Sequence, residues 1–304
     1  MRDGTVRLAI VFSGLSLIAL FLAGVPKELL VLRAGDLAEP APAIASDLPL
    51  MLAAGLHHGM NLGDRAALLI VSITGWLIGT LILTKIPRTR KDAVLMLHPG
   101  SILMVAAGAG LGAFGLITLF ASIRHAAMSR AMADLPVVGL AMALAALTVP
   151  EFERLVLPLA SVLFLTAPPA MLQRQIFSYY LIVFLPALTI LALAAGFGRE
   201  FLGRSAPVFT GPNLAIAAIA LPSLLWAAVA KQTRRLALAL FILFVAMSLA
   251  GRDGFDWPVL AAAIAGASAI RGRFGPLPEV IGAFAAVLIV AFLAMGLTGP
   301  GSWS

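Results

Sequence analysis

The sequence contains no cysteine. Disulfides, iron–sulfur clusters and thiolate metal sites are therefore excluded. Charge is equally scarce. Only 12% of the 304 residues are Asp, Glu, Lys or Arg, about half the proportion in soluble domains. There are four histidines and two tyrosines, and no glycine-rich phosphate loop follows a strand pattern. Long polar stretches are missing too, apart from one near the N-terminus.

What remains is apolar. Hydrophobic residues make up 61% of the chain and the mean hydropathy is +1.04. A soluble domain cannot hide that much apolar surface, whereas a bilayer solvates it. Apolar runs long enough to cross a bilayer, or nearly so, recur from end to end, since about 20 apolar residues span the hydrocarbon core. They fall at 8–25, 66–84, 93–106, 109–123, 135–149, 155–170, 177–197, 212–230, 236–250, 257–270 and 278–298. The four runs between 93 and 170 are short, so the expected fold is an all-α, polytopic transmembrane helix bundle of about nine to eleven spans. Residues 1–304 form a single integral membrane domain. Arg2 and Arg7 precede the first run, which reads as a signal anchor retained as the first helix.

Sorting the basic residues by side gives an orientation. With the N-terminus in the cytoplasm, 14 Lys and Arg lie inside and 7 outside, while 10 of the 14 acids fall outside. The positive-inside rule favours this arrangement. The net charge of +7 is thus a topology signal and an attraction to anionic membrane lipid, not a nucleic-acid footprint. The expected location is the inner membrane of a bacterial cell.

The one long polar connection, 26–65, lies outside in this orientation. Ala-Glu-Pro-Ala-Pro at 38–42 is a stiff turn. Residues 46–60 read as an interfacial helix too short to span, with Ser46 as a cap and Pro49 in the first turn. Small residues cluster at 106–115, Ala106, Ala107, Gly108, Gly110, Gly112 and Gly115 among them, and suit close helix packing or the turn of a helical hairpin.

Candidate chemistry is sparse. Asp36 and Glu39 form an Asp-x-x-Glu pair in the outer segment, where a carboxylate can act as general base or coordinate a divalent cation. No other cofactor is expected. Asp47 can serve the same purpose, or complement the dipole of the helix that it opens. His57 and His58 point about 100° apart on a helix, so one metal would not readily take both. His98, next to Pro99 at the start of a span, is an ionisable group near membrane depth and so a functional suspect; a satisfied structural histidine beside Asp92 is the plainer alternative. Tyr179 and Tyr180 read as interface anchors, and His125 as a solvated loop residue.

The order of features resembles the membrane module of GT-C-type glycosyltransferases that use polyprenyl-phosphate sugars, such as aminoarabinose and protein mannosyl transferases. The likeness rests on Leu48-Pro49-Leu50, Leu62-Gly63 and Asp64-Arg65-Ala66 before the second span, and on Phe255-Asp256-Trp257-Pro258-Val259-Leu260 before a late one. It covers mainly 8–170 and, more weakly, 250–270. The chain departs from the family in having Asp36-x-x-Glu39 rather than adjacent acids, and one proline where two are usual.

The resemblance implies sugar transfer from a polyprenyl-phosphate carrier to an acceptor on the outer face. Asp36 would be the base, with Glu39 or Asp47 as substitutes, and Arg199, Arg204 and Arg252 would hold the lipid phosphate through bidentate pairing. Two other readings compete: a non-catalytic polytopic subunit bound to membrane-protein partners, and a small-solute transporter. A transporter should carry charges deep in the bundle and paired broken helices. The orientation is directly testable: a reporter fused after Lys91 should behave as cytoplasmic and one fused near Asp47 as external. The reverse pattern would invert the assignment.

Overall fold

The computed structural model describes residues 47–86, 89–129, 132–150 and 176–196, together with isolated positions at 11, 15, 30, 152, 153, 155, 156, 159, 160, 163 and 264. Every regular element among them is helical. The expected spans 8–25, 212–230, 236–250, 257–270 and 278–298, and most of 155–170, lie outside the described residues.

Helix α1 runs Leu48–Met60 and α2 Asp64–Lys85. A 3-10 helix, Asp92–Leu97, leads into α3, Pro99–Ala106. Then come α4, Gly110–Ser129, a short 3-10 turn at Met132–Asp134, α5, Leu135–Thr148, and α6, Ile176–Gly196. Two of these, α2 and α6, are long and apolar enough to cross a membrane.

Asp47, not Ser46, caps α1. Its carboxylate accepts the Leu50 N–H at 3.1 Å, and Pro49 occupies the first turn, where no donor is needed. The helix ends at Asn61, whose φ of 53° is a left-handed stop. At 13 residues α1 is about 20 Å long, too short to span. Leu50 and Ala53 pack against Ala67, Leu68 and Val71 of α2.

Helix α2 has two distinct faces. Leu68, Ser72, Gly75, Gly79 and Leu83 recur at helical spacing and are buried. Ile70, Ile73, Leu77 and Leu81 recur on the other side and are exposed. An exposed stripe this apolar suits lipid rather than water.

Residues 92–129 fold back on themselves. Asp92 meets Arg124 at one end of the pair of arms. At the other, a Cβ on Gly112 would lie 3.1 Å from the Met104 side chain. Both pairings centre on residue 108, and Gly108 has a φ of +83°. The reversal is a Schellman motif: Ala109 N–H bonds the Met104 carbonyl and Gly108 N–H the Val105 carbonyl. The expected span 93–106 is therefore not one continuous helix. Pro99 has no N–H and blocks the α-conformation at His98, whose ψ is 139°, so the arm breaks there. The arm is about 24 Å long from its 3-10 and α portions, short of a full crossing.

Glycines set the remaining packing. Gly75 and Gly79 let α2 lie against Leu111 and Phe114 of α4. Gly112 and Gly115 bring the opposite side of α4 against the Thr148 carbonyl and hydroxyl of α5. Gly139 of α5 sits against the Ile182 carbonyl of α6, the acceptor whose helical donor Pro186 lacks. Helices α2, α4, α5 and α6 thus stack as neighbours, with the 3-10 arm tucked against α2 and α4. Tyr179 is buried rather than interfacial, and the Tyr180 hydroxyl donates to the Ala160 carbonyl at 2.9 Å.

Replacing Gly110 with Ala places a Cβ inside the Ser72 backbone carbonyl. It should destabilise the fold by about 1–3 kcal/mol. Gly55→Ala, with nothing within 4 Å, should instead stabilise by about 0.5–1 kcal/mol. Unfolding of both variants in detergent checks the contrast; equal effects would contradict the packing described.

Candidate functional site

Polar groups among the described residues gather at the two ends of α2 and, between them, around Ser72 and Trp76. One end is that of Asp64. His57 Nδ1 donates to the Leu62 carbonyl at 2.6 Å and lies 3.0 Å from the Asp64 carboxylate, which fastens the α1–α2 turn. The His58 ring sits edge-on to His57 at 4.8 Å. Asp47 is buried at the start of α1.

The hairpin tip lies between the two ends. Ser72 lies eight residues into α2, about 12 Å from its Asp64 end. Its hydroxyl donates to the Val105 carbonyl at 2.7 Å and accepts the Gly110 N–H at 2.7 Å. One hydroxyl therefore serves a carbonyl of α3 and a donor of α4, on both sides of the reversal. A Cβ at position 108 would lie 3.5 Å from the Leu30 and Leu68 side chains, and Leu30 packs on the same cluster as Leu50 and Ala53. Leu30, from the first polar segment, thus lies beside the tip.

His98 lies deeper, close to the level where the Trp76 Nε1–H donates to the Met96 carbonyl at 2.8 Å. It is completely buried. Its Nδ1 accepts the Gly100 N–H at 3.1 Å, making it the N-cap of α3. The neighbouring Ser101 hydroxyl donates to the Leu95 carbonyl at 2.8 Å, tying the 3-10 turn to the helix after it. His98 and Asp47 each serve the start of their own helix.

The other end is that of the hairpin base. Arg124 donates to Asp92 at 2.6 Å. Asp92 is 1% exposed and its Oδ1 has no hydrogen-bond partner. Burial pushes its carboxyl above the usual carboxylate range; Arg124, and then Lys91, pull it partly back. Next to this pair, His125 lies 3.7 Å from Asp134, whose carboxylate accepts from the Ser129 hydroxyl. The His125 side chain is partly exposed to solvent, as expected, and lies near Asp134 in the α4–α5 turn.

Asp36, Glu39, Arg199, Arg204 and Arg252 lie outside the described residues. Among the described residues, no group of three or more His, Asp or Glu could hold a metal ion. Sequence reasoning did not single out Ser72 or the Asp92–Arg124 pair. Ser72 has a signal, because it continues the Gly75–Gly79 face. The ion pair joins residues 32 apart and needs the reversal to be known first. No family model, curated protein or solved structure matches the chain.

Ser72→Ala removes both bonds and leaves a buried N–H short of its partner. It should cost about 1–3 kcal/mol, measurable as a lowered unfolding midpoint. Ser72→Thr, which keeps the hydroxyl, should recover part of the loss. A fully stable Ser72→Ala would show that the tip does not depend on this residue.

Proposed function

We propose that the chain is a polytopic protein of the bacterial inner membrane, with about nine to eleven spans and a cytoplasmic N-terminus, that acts at the outer face on a lipid-linked substrate. The specific reaction is sugar transfer from a polyprenyl-phosphate carrier. The observation that carries this reading is the partial depth of the hairpin. Its tip stops near Ser72, about 12 Å short of the Asp64 end of α2, and Leu30 and the α1 cluster lie against it. In the orientation set by the basic residues, the Asp64 end faces outward. Leu30 and α1, both from the first outer segment, lie beside a shortened hairpin, which suits a site at that end of the helices.

Within this site Asp36 is the base that takes the proton of the acceptor hydroxyl, and Glu39 is its nearest substitute. Arg199, Arg204 or Arg252 holds the carrier phosphate. The capping bonds of Asp47 and His98 favour structural roles for both, so neither is retained as a reacting group.

The capping roles of these two residues favour a second reading: a non-catalytic subunit held among membrane-protein partners. Consumption of a polyprenyl-phosphate sugar by the purified protein in lipid separates the two. Asp36→Asn should abolish it, by about 100-fold or more for loss of a general base, with unfolding behaviour unchanged. Full turnover in Asp36→Asn would remove Asp36 from the mechanism, and no turnover in the unaltered chain would favour the subunit.

A further inference from the structure

The Asp92–Arg124 pair is asymmetric in a way that a purely structural bridge need not be. Asp92 is enclosed, 1% exposed, and only Oδ2 is bonded; Oδ1 is buried with no hydrogen-bond partner. The Arg124 side chain is 20% exposed. A carboxylate in this position keeps half its charge unsolvated, whereas a protonated carboxyl does not. An arginine with access to solvent can release its partner without being stranded in an apolar surround.

We propose that Asp92 is a proton-binding site and that its proton occupancy opens and closes the base of the 92–129 hairpin. With Asp92 ionised, Arg124 holds the 3-10 arm to α4 at 2.6 Å. With Asp92 neutral, the ionic part of that bond is lost and the base loosens. The tip stays fixed by Ser72 and the arm is held at Met96 by Trp76, so the movement is confined to the Asp92 end of the arm and the last turns of α4.

Among the described residues the surrounding charges are few. Arg124 faces Asp92 from α4, with His125 next to it in the chain. Lys91 and Arg90 precede it and are exposed. Helix α2 contributes Lys85 at its end. Helix α3 has no charged residue, and His98 at its cap is bonded to the Gly100 N–H. Burial raises the Asp92 carboxyl and Arg124 opposes the rise, so its protonation midpoint lies above that of an exposed aspartate. This inference stands apart from the glycosyl-transfer reading, which concerns the other end of α2.

The absence of cysteine supplies a clean test. Ala126→Cys, partly buried on the last turn of α4, reports opening by its rate of reaction with a water-soluble maleimide; Arg90→Cys, exposed throughout, corrects for thiol ionisation. The corrected rate at position 126 should plateau at low pH and fall about tenfold per pH unit above the midpoint, as expected for opening coupled to one proton. With Asp92→Asn it should be high and independent of pH. Arg124→Gln should move the midpoint upward, because the opposing cation is gone. Infrared difference spectra of the full chain in lipid should show a protonated carboxyl band that titrates with the same midpoint and is missing from Asp92→Asn. A corrected rate that does not change with pH, or an infrared titration that survives in Asp92→Asn, would overturn the proposal. Should Asp92→Asn fail to fold, an unmoved midpoint in Arg124→Gln would do the same.

Discussion

A buried chain reversal is admissible only if its backbone donors and acceptors are satisfied, and that requirement organises the described part of this protein. Residues 107–109 turn back in an environment closed to solvent. The Schellman bonds deal with two carbonyls of α3, and the Ala109 carbonyl accepts from Gly112 and Ala113 at the start of α4. The Ser72 hydroxyl completes the set by bridging the Val105 carbonyl and the Gly110 N–H. An unpaired buried group costs about 1–3 kcal/mol, so these few bonds decide whether the two arms can pair at all.

The same requirement explains the glycines. For Ser72 to reach both sides of the turn, α2 must approach α4 closely, and Gly75, Gly79 and Gly110 supply the room. On its far side α4 uses Gly112 and Gly115 to meet the end of α5, and α5 uses Gly139 to meet the carbonyl freed by Pro186. Close approach replaces the hydrophobic drive that lipid cannot provide between helices. The proline and the small residue facing it are two halves of one contact: Pro186 leaves the Ile182 carbonyl without its helical donor, and Gly139 leaves it uncrowded.

Much of this was legible in residue pattern. The helical class follows from hydropathy, and α1, α2, α5 and α6 fall within a few residues of the expected positions, because their apolar runs have clear ends such as Pro49, Asn61 and Pro136. The run 93–106 misled, since composition cannot distinguish a full span from a 3-10 turn followed by a short helix; the informative residues were His98-Pro99, which break the arm. Asp47 took the capping role expected of Ser46 because the helix begins one residue later. Long-range partners were the least legible: nothing local to Asp92 points to Arg124, and nothing local to His98 distinguishes a cap from a ligand.

The contacts of Ser72, Asp92 and Arg124 described above depend on residues 92–129 reversing at Gly108 rather than continuing as one helix. Spin labels on Lys91→Cys and His125→Cys, introduced into the cysteine-free chain, measure this by dipolar spectroscopy in lipid. A reversed hairpin places the labels within about 25 Å of each other, allowing for label length, whereas a continuous helix would hold them about 50 Å apart at 1.5 Å per residue. A single short-distance population is the expected result; a distribution centred near the longer value would contradict the fold and the roles assigned to Ser72, Asp92 and Arg124.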